Sequence, residues 1–136
     1  MAGEGTQLLG IDVGKTPPQR VSQVLIQNAT YLDQFFLTRS PSSGSMYSIR
    51  AKIGGSTIWV DKLNPQTGDA TRVLRVTAKQ QVELGGPFCV NSGGTHMYAA
   101  VTVGDTDTML VVTMDGHDAV STFADLPYNP WAMICP

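Results

Sequence analysis

The sequence predicts an all-β fold, an antiparallel β-sandwich or small β-barrel with an extended arm at each end. Three observations carry this expectation. Val, Thr and Ile supply 33 of the 136 residues, and such β-branched side chains lose freedom in helices but pack well on a pleated sheet. Helix-favouring charged residues are scarce, with two Glu and four Lys against nine Asp, while 14 Gly and 8 Pro provide frequent break points. Apolar residues also alternate with period two in short segments, and no helical pattern lies between them.

Residues 1–20 carry four glycines and Pro17-Pro18, and only Leu8 to Val13 can pair as a strand, so this segment reads as an extended arm. From Val21 to Ile26 both alternating sets contain apolar residues, which suits a strand covered on both faces. Asn28-Ala29-Thr30 is expected to break it. The dense group Leu32, Phe35, Phe36 and Leu37 fits a strand or one helical turn equally well. Met46 to Ile53 places Tyr47, Ile49, Ala51 and Ile53 inward and Ser48, Arg50 and Lys52 outward. Gly54-Gly55 reads as a two-residue hairpin loop leading to Thr57–Leu63. Thr71 to Ala78 turns Leu74, Val76 and Ala78 inward, and a short Val82-Glu83-Leu84 segment ends at Gly85-Gly86-Pro87. His96–Val103 and Thr108–Met114 follow, joined by the loop Gly104 to Asp107. About seven or eight strands at this spacing indicate a sandwich of jelly-roll or immunoglobulin-like kind, or a small barrel. Residues 21–124 would form the domain, with 125–136 an extended apolar tail.

Composition and charge exclude several functional classes. A net charge of -2 without Lys/Arg clusters leaves no electrostatic footprint for nucleic acid or an anionic membrane. No apolar run spans a bilayer, and Met1-Ala-Gly-Glu-Gly lacks the basic start and apolar stretch of a signal peptide, so synthesis in the cytosol is expected. Cys89 and Cys135 form no metal-ligand pair and are expected to be reduced, partly buried thiols, a disulfide from tail to core being the alternative.

No motif commits the chain to catalysis, a cofactor or a metal. Gly14-Lys15-Thr16 matches the end of a phosphate loop, but the earlier glycine is out of register and Pro17-Pro18 forbids the following helix. The stretch Leu9 to Thr16 is similar to the first strand of RNase H-like nucleases of the Holliday-junction resolvase type, a resemblance that would make Asp12 a metal ligand. The helices that fold requires do not follow. His117 lies in a turn-like Asp115-Gly116-His117-Asp118 and has no nucleophile elbow to serve. Asp61, Asp69, Asp105 and Asp107 lack the spacing of a calcium loop. Asn28-Ala29-Thr30 is a formal glycosylation acceptor. Trp59, Tyr98 and Tyr47 lie on strands and could line a glycan-binding face, as in a fibre or receptor-binding module.

With an all-β body, few charges, and apolar segments at both ends, the chain resembles in layout the structural proteins of tailed-bacteriophage virions, above all capsid decoration or cement proteins. The resemblance implies a non-enzymatic protein, commonly trimeric, that binds copies of itself and a major capsid protein through its arms. Leu8, Leu9, Ile11 and Val13 in the N-terminal arm and Trp131, Met133 and Ile134 in the tail are the contact residues it suggests.

Overall fold

A computed structural model describes residues 5–30, 33–114, 119–128, 130 and 133–136. Among them are ten strands: β1 (Gly5–Asp12), β2 (Gln19–Thr30), β3 (Asp33–Arg39), β4 (Met46–Lys52), β5 (Thr57–Leu63), β6 (Ala70–Thr77), β7 (Val82–Val90), β8 (His96–Val103), β9 (Thr106–Thr113) and β10 (Val120–Asp125). None of the described residues is helical, so no helix is long and apolar enough to cross a membrane. Two four-stranded sheets, β3-β4-β5-β6 and β10-β9-β8-β7, form the sandwich, and β1-β2 is a separate two-stranded ribbon. All pairings are antiparallel. Neither sheet closes into a barrel, and β3 lies against β7 along one side of the sandwich.

The period-two pattern explains the core. Ile49 and Ala51 of β4 and Ile58 and Val60 of β5 pack against Met97, Val101, Leu110 and Val112 of the facing sheet, all fully buried. Each of these side chains except Ala51 contributes about 1.5–3 kcal/mol on burial. The Leu84 amide donates to Gln34 Oε1 at 2.8 Å, a polar link from β7 to β3.

Several local expectations are corrected. The Gly54-Gly55 loop spans residues 53–56, because the turn closes by the Gly55 amide donating to the Lys52 carbonyl, and Ile53 is therefore exposed on the turn. Gly104-Asp105 is instead the tight connection, with Val103 already paired to Thr106. Gly85-Gly86-Pro87 does not end its strand: β7 continues to Val90 through a register shift between Leu84 and Phe88. A bulge on an edge strand tolerates a proline that cannot donate. Asn28–Thr30 continue β2 rather than breaking it. β10 was not expected, and Cys89 and Cys135 form a disulfide instead of free thiols. The pairing depends on how the tail returns across the fold, which sequence separation does not reveal. Leu32, His117 and Trp131, and the side chains of Asn28 and Thr30, lie outside the described residues.

The arm expected over residues 1–20 pairs with the segment after it, so the division at residue 20 falls inside the ribbon. Ile26 and Leu8 dock one face of the ribbon on Leu63, Met46, Phe35 and Ala70, the outer face of the β3–β6 sheet. The Gln27 amide donates to the Gly68 carbonyl at 2.9 Å, and Gln27 Oε1 accepts from the Ala70 amide at 3.0 Å. Gly68 has φ +80°, and a Cβ there would stand 2.0 Å from the Leu25 carbonyl oxygen. A backbone neighbour cannot yield as a flexible side chain would. Gly68→Ala is expected to cost about 1–3 kcal/mol and to loosen the ribbon. The check is a urea melt together with amide exchange at Gln27, which should accelerate more than exchange in β8.

Candidate functional site

The ribbon is the feature that the body of the fold least explains. Beyond its docked base it exposes Leu9, Ile11, Val13, Val21 and Leu25, each about half or more accessible. The register accounts for this: Leu9 lies opposite Gln23 and Leu25 opposite Gln7, so Leu9, Ile11 and Leu25 share the face turned away from Leu8, Val24 and Ile26. The strand expected to be covered on both faces is thus covered on one, and only at its base. Polar ties fix the exposed face: Gln23 Nε2 donates to Gln7 Oε1, and Arg20 Nη1 donates to Gln23 Oε1 at 2.8 Å. At the tip, the Gly14 amide donates to Asp12 Oδ1 at 2.9 Å, so Asp12 closes a turn. Among the described residues no group of three or more His, Cys, Asp and Glu stands together to hold a metal.

A second feature lies on the same outer sheet face. Ser48 and Arg50, expected to face solvent, are buried there, as is Asp61. Arg50 pairs with Asp33 and Asp61, 3.7 Å away in each case, and Asp61 also receives Arg72 Nε at 2.6 Å. The Arg50 guanidinium carbon lies 4.5 Å from the centre of the Trp59 ring. These residues neighbour one another because Arg50 opposes Trp59 and Phe35, while Ser48 opposes Asp61. Asp61 is therefore an internal counter-ion. Two arginines and two aspartates balance, which is what makes their burial tolerable.

The remaining sequence candidates fall in separate places. Tyr47 is packed against the core, Trp59 covers Arg50 on the outer face of one sheet, and Tyr98 lies on the outer face of the other, stacked on His96 at 6.2 Å. Three faces for three rings give no common stacking platform. Of the tail residues, Met133 is half-buried and Ile134 is 94% exposed. The ribbon docks on the β3–β6 sheet and the tail is bonded to β7 of the other sheet, so the two groups of suggested contact residues are not brought together. Val21 and Leu25 are contact candidates missed in the sequence, because alternation there marked both faces as apolar. Comparison with family models, curated proteins and solved structures finds no match.

Proposed function

We propose that the chain is a non-enzymatic structural protein of a virion, of the capsid decoration or cement type, and that the β1-β2 ribbon is its contact element toward copies of itself and a capsid protein. The observation that carries this reading is the apolar exposure of the ribbon. Its five large side chains, each about half or more exposed, fall short of the roughly 800 Å² per partner of a standard interface. Each returns about half of the 1.5–3 kcal/mol of a fully buried aliphatic side chain when covered, a gain that the 4–15 kcal/mol cost of association largely offsets. A contact of this strength is weak singly and firm only when many copies are fixed in an array. The disulfide is in keeping with a particle that persists outside the cell.

Sedimentation velocity from about 10 μM to 1 mM, which spans net contact energies of about −7 to −4 kcal/mol, tests the self-association part. Concentration-dependent oligomers are expected. A monomer at every concentration would remove the ribbon as a contact between copies.

A further inference from the structure

The sandwich is closed along one side and open along the other. On the closed side β3 lies against β7, and Gln34 Oε1 accepts from the Leu84 amide. On the open side β6 and β10 are the free edges of their sheets and make few contacts with each other. The inward side chains record the difference. Leu74 and Val76 of β6 are only half-buried and Phe123 of β10 is 37% exposed, whereas Ile58 and Val60 of β5 are fully buried. Between the two edges runs a groove of about 460 Å³, lined by Ala78, Val103 and Phe123 and by the charged Lys79 and Asp125.

The register shows what β6 offers along this edge. The Ala78 amide donates to the Ser56 carbonyl at 2.8 Å. In the ladder that continues through Ile58–Val76 and Val60–Leu74, the alternate residues Arg75 and Thr77 therefore turn their amides and carbonyls away from β5. The upstream end of the same edge already carries an added chain, because Gln27 of the ribbon bonds the Gly68 carbonyl and the Ala70 amide. Arg75 and Thr77, further along, are exposed. From Ala70 to Val82 the chain carries Arg72, Arg75 and Lys79 and no acid. The acids of the adjoining sheet face, Asp33 and Asp61, are buried against Arg50, and among the described residues Arg75 has no ion-pair partner.

We propose that the β6 edge and the adjoining groove bind an extended acidic segment of another protein by strand addition. Beside β6 such a segment exchanges backbone hydrogen bonds with Arg75 and Thr77. Period two then fixes its side chains. The residue opposite Arg75 lies on the outer face and is Asp or Glu, and its neighbour opposite Val76 turns into the groove and is apolar. A basic edge deters strands of like charge, a second copy of β6 included, and so selects an acidic one. This surface is distinct from the exposed face of the ribbon and does not depend on self-association through it.

The test is an amide-resolved NMR titration of the full chain with the peptide acetyl-Glu-Val-Glu-Val-Thr-Val-Glu-amide, taken to about 1 mM, where a contact of about 4 kcal/mol is half-occupied. Saturable shifts are expected at the Arg75 and Thr77 amides, with β3 and β7 unmoved. The same peptide with Lys in place of Glu is expected to bind at least about tenfold more weakly, as is the acidic peptide to Arg75→Glu, because like charges facing one another across a contact are costly. Thr77→Pro removes an outward donor without changing charge. Alternate N-methylation of the peptide removes the donors from the other side and keeps the test intact should that variant fail to fold. Both are expected to abolish the shifts. No shift at Arg75 and Thr77, equal binding of the lysine peptide, or binding that survives N-methylation would overturn the proposal.

Discussion

Asp61→Ala is expected to destabilise the fold by about 3 kcal/mol, the lower end of the 3–5 kcal/mol range for breaking one side of a buried ion pair. The loss arises from what is left behind. Arg50 has a side chain only 7% exposed, and without Asp61 it keeps a single carboxylate, Asp33, at 3.7 Å. Trp59 offers the guanidinium a ring face but no acceptor. The other partner of Asp61, Arg72, is 40% exposed, so Arg72→Ala strands no buried cation; it removes one hydrogen bond from the buried Asp61 carboxylate, which keeps Arg50, and should cost about 1–2 kcal/mol. Urea denaturation of both variants reads the contrast. Equal losses would mean that burial of Arg50 is not what makes Asp61 matter.

Removing the disulfide should have an effect of similar size by a different route. A loop of 46 residues between Cys89 and Cys135 corresponds to about 4 kcal/mol of chain entropy withheld from the unfolded state. With a urea slope of 1–3 kcal/mol/M, the midpoint of Cys89→Ser/Cys135→Ser should fall by roughly 2 M. The folded body loses few contacts, so its β8 and β9 amides should keep their relative order of protection. A midpoint within error of the parent would show that the constraint is absent in solution.

How far the fold is legible in the sequence depends on what each strand faces. Thr57–Leu63 and His96–Val103 carry clean alternation because one side meets the core, and their bounds agree with the structure. Met46–Lys52 also alternates, yet Ser48 and Arg50 of its polar set are buried, since the pattern separates two faces and does not say what covers the second. That cover is the ribbon near Met46 and the ion pairs around Arg50, both set by distant segments. β10 escapes because it is an edge strand with mostly exposed residues, so no hydrophobic period marks it. Gly85-Gly86-Pro87 misleads because turn residues also make bulges. Within the candidate site, Leu8, Leu9, Ile11 and Val13 were readable as strand-forming apolar residues. Their splitting into a docked Leu8 and an exposed Leu9 and Ile11 required the register with β2. The contribution of Leu25 required knowing that Gly68 brings only the base of the ribbon against the body.

The most direct measurement is sedimentation velocity of the parent chain beside Leu9→Ser/Ile11→Ser/Leu25→Ser. All three side chains are about half exposed, so the triple variant should remain folded, with each change costing about 0.5 kcal/mol or less. If the ribbon is the contact element, the parent associates as concentration rises and the folded variant stays monomeric. Association of the variant equal to that of the parent, or a parent that is monomeric throughout, would contradict it.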